Sequence, residues 1–88
     1  MHLAIPAVSE RMGAIVHEYR RENRFSQEDF SEFLHITPRS LSSLENGRSF
    51  CNALTLLQFL DCLPPEKQNE LIHELASLTH AYFEQQSD

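Results

Sequence analysis

Apolar residues in this chain recur every three or four positions, in short blocks separated by capping residues and prolines. That spacing commits the chain to helices of modest length. No stretch alternates apolar and polar residues with the period of two that a half-buried strand needs. Prolines stand at positions 6, 38, 64 and 65 and punctuate the blocks. Ser9 is a good N-cap for a first helix reaching about Asn23, with Met12, Ile15, Val16 and Tyr19 at helical spacing. Ser26 caps a short second helix, and Asp29 completes a Ser-x-x-acid box. Phe30, Phe33 and Leu34 form its buried face. Thr37 caps a third helix, and Pro38 takes the first helical position, where a missing N–H does no harm. Leu41 and Leu44 face inward, and Asn46-Gly47 is a strong stop. Asn52 caps a fourth helix with Leu56, Phe59, Leu60 and Leu63 inward. Pro64-Pro65 ends it and starts a fifth, over about 65–84. There Leu71, Leu75, Leu78 and Tyr82 follow 4-3-4 steps, close to an a/d seam. The expected fold class is all-α.

With 88 residues there is room for one small domain, and 41% hydrophobic with 23% charged residues excludes a disordered chain. The net charge of −6 speaks at first against nucleic acid, because phosphate contacts need Lys and Arg. Its distribution changes that reading. Residues 1–50 hold six Arg against seven acids, a sum of −1, whereas residues 51–88 hold Lys67 against six acids, a sum of −5. The acidity belongs to the C-terminal part.

Chemistry-bearing patterns are few. Cys51 and Cys62 are eleven apart, about 16 Å along a helix, where a disulfide needs less than about 7 Å. Free thiols fit a reducing compartment. With no apolar run near the roughly 20 residues of a membrane span and no signal peptide, a cytoplasmic location is expected. His73-Glu74 does not continue to the second His of H-E-x-x-H, and His73 and His80 are two turns apart. The cysteines lack C-x-x-C spacing, so no metal is expected. Serines are many, but no nucleophile elbow appears. Gly13 and Gly47 are the only glycines, so no glycine loop cradles a phosphate. Neither an enzyme nor a cofactor is expected.

The second and third helices are each about two turns long and three residues apart, the proportions of a helix-turn-helix. The run from Ser26 to Gly47, S-Q-E-D-F-S-E-F-L-H-I-T-P-R-S-L-S-S-L-E-N-G, resembles the phage-repressor/Cro-type (XRE-like) helix-turn-helix family. Ser26-Gln27 opens the second helix, small Ser31 sits where the two helices cross, and Ile36-Thr37 precedes the third. Leu41, Ser42, Leu44, Glu45, Asn46 and Gly47 match the family's ending, and Arg20 matches an arginine usual at the end of the first helix. His35 and Arg24 depart from the pattern, each standing where the family usually has Gly in a turn that tends to need φ > 0.

The resemblance implies a five-helix lambda-repressor-like domain over residues 9–63, after a loose leader of residues 1–8. It implies an internal ion pair of Arg20 with Glu45. Arg39, Ser40 and Ser43 would read base edges, with Arg39 pairing to guanine. Gln27, Thr37, Ser42, Asn46 and Arg48 would meet the DNA backbone. Residues 64–88 would form a dimerisation helix through Leu71, Leu75, Leu78 and Tyr82. The function implied is a sequence-specific, repressor-like DNA-binding regulator, a homodimer placing two third helices in successive major grooves about 34 Å apart on double-stranded DNA. The alternative is an antitoxin or other interaction module, whose acidic last helix, or Phe50 and Phe83, would hold a basic partner protein such as a toxin.

Overall fold

The computed structural model describes residues 5–86. They form α1 (Pro6–Glu22), α2 (Gln27–Phe33), α3 (Pro38–Glu45), α4 (Ala53–Asp61) and α5 (Pro65–Gln86), with no strand among the described residues. Three starts follow from local cap chemistry. The Ser26 hydroxyl accepts from the Asp29 N–H at 3.0 Å, and the Thr37 hydroxyl from the Ser40 N–H at 3.0 Å. Asn52 Oδ1 accepts from the Thr55 N–H at 2.9 Å.

The first helix corrects the expected start. Pro6 occupies its first turn, Ile5 is the N-cap without a side-chain bond, and Ser9 lies inside the helix, 8% exposed. Proline's fixed φ favours the first helical position, and extending the helix backwards brings Val8 onto the core. Of the leader expected over 1–8, residues 6–8 are therefore helical, and residues 1–4 lie outside the described residues.

The ends of α1, α2 and α3 share one device. After each C-cap the next residue turns left-handed: Arg24 at φ 59°, His35 at φ 59° and Gly47 at φ 74°. Each time the following N–H reaches back five residues, from Phe25 to the Arg20 carbonyl, Ile36 to Ser31 and Arg48 to Ser43, at 2.9–3.1 Å. Each left-handed residue's own N–H bonds three residues back, to Arg21, Glu32 and Leu44. This is the Schellman pattern, which satisfies carbonyls that a helix end leaves free. Two of the three positions carry a side chain where glycine is the unstrained choice.

The core comprises Val8, Met12 and Val16 of α1, Phe30 and Leu34, Leu41 and Leu44, Phe59, and Leu71 and Leu75. Phe30 and Phe59 meet edge to face at 6.4 Å, and Tyr19 packs on both at 5.9 and 5.4 Å. Leu56, Leu60 and Leu63 face this core half-buried, as their spacing predicts. Phe33 does not join it: it is 43% exposed and stacks on the outside of Phe30, at 6.0 Å.

Helix α1 is the central strut, packing on α3 along one side and α5 along the other. In that arrangement most of the expected dimer seam lies against the chain's own core. Leu71 and Leu75 are 4% and 7% exposed, buried in the chain's own core, and Leu78 packs against it. Only Tyr82, half-buried beside Phe83, lies beyond that contact. Cys51 and Cys62 are free thiols, and burial pushes Cys51 up to about 11. Among the described residues no helix is long and apolar enough to cross a membrane.

Candidate nucleic-acid interface

The position of α3 is set first by a close approach. A Cβ on Gly13 would lie 2.2 Å from the Leu44 carbonyl oxygen, 3.0 Å from that of Glu45 and 3.1 Å from the Gly47 nitrogen. Helix α1 therefore meets the last turn of α3 backbone to backbone, which only glycine permits here.

Next to this contact is a polar clamp. Glu45, its side chain 4% exposed, receives Arg20 Nε at 2.6 Å and Arg20 Nη2 at 3.1 Å, one on each carboxylate oxygen. The remaining Arg20 nitrogen donates to the Phe25 carbonyl at 2.9 Å and so holds the α1–α2 turn. His17 Nδ1 lies 3.0 Å from Glu45 Oε1, and Gln27 Nε2 donates to that oxygen at 3.3 Å. Burial pushes the Glu45 carboxyl up. The bonds from Arg20, His17 and Gln27 outweigh burial and hold it below its ordinary value. One carboxylate on α3 thus ties α1, α2 and the turn between them.

The clamp leaves the first turn of α3 facing solvent. Arg39 and Ser40 are exposed there, and Ser42 and Ser43 are half-buried one turn on. Gln27, Asn46 and Arg48 are exposed around it. Among the described residues Arg21, Arg24, Arg39 and Arg48 make no ion pair, so their charges are free. The short hydroxyls are locally bonded. Thr37 Oγ1 caps α3 and donates to the Ser40 hydroxyl at 3.0 Å, Ser43 shares a bond with Ser49 at 3.0 Å, and Asn46 Nδ2 donates to the Ser42 carbonyl at 2.9 Å. Arg39 is therefore the one long donor standing free on α3, within a surround of arginine and amide groups.

The ion pair of Arg20 with Glu45 was legible from the resemblance. His17 was not assigned to it, although its place one turn before Arg20 on the same face of α1 was the available signal. Gly13 was also missed as a packing residue, because nothing local distinguishes it from any other glycine within a helix.

A family model described as helix-turn-helix matches residues 16–64, more than half of the chain. The match runs from the middle of α1 through α4 and stops before α5. No curated protein and no solved structure gives a match.

Proposed function

The chain belongs to the helix-turn-helix family of DNA-binding transcription regulators, and from that premise we propose that it is a repressor-like regulator binding a pseudo-palindromic site as a homodimer. Helix α3 enters the major groove, and Arg39 forks onto guanine O6 and N7, with Ser40 and Ser43 at neighbouring base edges. Gln27, Thr37, Ser42, Asn46 and Arg48 face phosphates and fix the register. The observation that carries this reading is the exposed, unpaired Arg39 on a helix that the Gly13 contact and the Glu45 clamp hold in place. Few free cations surround it, so affinity is modest and salt-sensitive, with a slope of about −0.9 per phosphate contact. Regulation works in the cytoplasm through the protein's own concentration or a partner.

Selection from a random duplex pool, followed by mobility-shift titration, tests the reading. Arg39→Ala is expected to weaken the selected site by about 1–3 kcal/mol and to relax preference at one base position. A pool that yields no enriched sequence at low salt would overturn it.

A second, compatible reading is an antitoxin-like hold on a basic partner. It is supported by a groove of about 360 Å³ between α1 and α5, lined by Ile15, Tyr19 and Leu71 and by Glu18, Glu22, Glu70 and Glu74, of which Glu74 is paired with Arg11 and Glu70 with Lys67, so that Glu18 and Glu22 carry its free negative charge. Failure of the purified chain to retain any product of a co-expressed neighbouring reading frame would remove it.

A further inference from the structure

His17 is bonded into the Glu45 clamp yet stands half in solvent. Its Nδ1 lies 3.0 Å from Glu45 Oε1, but its side chain is 46% exposed, against 13% for Arg20 and 4% for Glu45. Arg20 already donates to both oxygens of that carboxylate. Neutralising Glu45 therefore does not require the imidazole.

The buried carboxylate fixes where the ring carries hydrogen. The bonds from Arg20, His17 and Gln27 hold Glu45 ionised, and an ionised carboxylate can only accept. Nδ1 must carry a hydrogen and donate it to Glu45. In the neutral ring Nε2 is then bare. In the imidazolium Nε2 becomes a second, charged donor on the far side of the ring.

The ring stands among the side chains assigned to DNA phosphates. Gln27 Nε2 donates to the same Glu45 oxygen at 3.3 Å, so His17 and Gln27 are within a few ångströms of each other. Asn46 and Arg48, both exposed, follow Glu45 directly. Arg21, four residues after His17 on the same face of α1, is exposed and makes no ion pair among the described residues. The other charged groups around the ring are Arg20, Glu28 and Glu10. Arg20 is held by Glu45, Glu28 is exposed beside Gln27 on α2, and Glu10 lies two turns earlier on α1, against Gly47. Glu18 and Glu22 line the α1–α5 groove instead. In the free protein Arg20 and Arg21 oppose a further positive charge on His17. A phosphate set between His17 and Arg21 favours that charge.

We propose that His17 is a further DNA-backbone contact, which takes a proton from solvent and donates Nε2–H to a phosphate beside Arg21, so that affinity for DNA rises as pH falls from about 8 to about 6. This inference rests on the DNA-binding reading. Glu45 then orients a phosphate-binding ring as well as tying the helices together.

Mobility-shift titration of the full chain on the selected duplex, near pH 6 and near pH 8 over a salt series, is the test. The wild type is expected to bind about tenfold more tightly near pH 6, with a salt slope steeper by about 0.9 for each protomer. His17→Gln is expected to bind equally at the two pH values and to show one slope at both. His35→Gln is the control, because His35 is an exposed histidine just before α3, and it is expected to keep both differences. Ring nitrogen shifts of wild-type His17 by NMR read the proton directly: Nδ1 is expected to carry hydrogen with and without DNA, and Nε2 to gain it on adding the duplex. Equal wild-type affinity at the two pH values, a pH dependence that His17→Gln keeps, or one that His35→Gln removes would overturn this contact and leave the regulator reading standing. A chain that selects no duplex at either pH would overturn that reading and the contact with it.

Discussion

Gly13→Ala sets local propensity directly against tertiary packing. Within a helix, alanine is favoured over glycine by about 1 kcal/mol, so helix propensity alone predicts a gain. The structure predicts a loss. The new methyl would stand 2.2 Å from the Leu44 carbonyl oxygen, against an ordinary C···O contact of about 3.3 Å. The atoms in the way are backbone, at the end of α3, and cannot rotate aside. Helices α1 and α3 must part by about 1 Å, which also stretches the Arg20–Glu45 bond now at 2.6 Å. Overpacking of this kind typically costs about 1–3 kcal/mol, and rigid backbone on the opposing side puts this site at the upper end. After the propensity gain, a net loss of about 2 kcal/mol remains, or a Tm lower by about 8–16 °C in a domain of this size. Thermal and urea unfolding followed by circular dichroism at 222 nm measures it. A Gly13→Ala protein as stable as the wild type, or more so, would show that α1 and α3 are not in backbone contact and would remove the basis for a fixed α3.

Two further outcomes follow from the same elements. His35→Gly relieves a left-handed residue worth about 1–2 kcal/mol, offset by about 0.5–1 kcal/mol of added unfolded-chain entropy. The expected net gain is a Tm a few degrees higher, and a lower Tm would argue that the His35 side chain stabilises the turn. The depressed Glu45 carboxyl predicts acid sensitivity. A carboxylate whose folded pKa lies below its unfolded value contributes stability above the unfolded value of 4.5, and that contribution fades as pH falls through the folded one. The difference in urea midpoint between the wild type and Glu45→Gln should therefore be widest near neutrality and shrink below about pH 4.5. A gap that stays constant down to pH 3 would assign the loss to packing rather than to ionisation.

What the sequence determined by itself is what acts over a few residues. Ser26, Thr37 and Asn52 start helices because each side chain reaches an N–H three residues on, and Pro64-Pro65 divides α4 from α5 for reasons within one turn. The all-α class and the Arg20–Glu45 pair were legible too, the first from period and the second from the resemblance over residues 20–47. Periodicity says which face of a helix is apolar but not what covers it. Tertiary structure alone decided that α5 lays Leu71 and Leu75 on α1, that Phe33 stays outside Phe30, and that Leu54 and Leu57 stay in solvent. It alone brought His17 and Gln27 to the Glu45 carboxylate and placed Gly13 against Leu44. These contacts join residues far apart in the chain, and their distances depend on how whole helices cross.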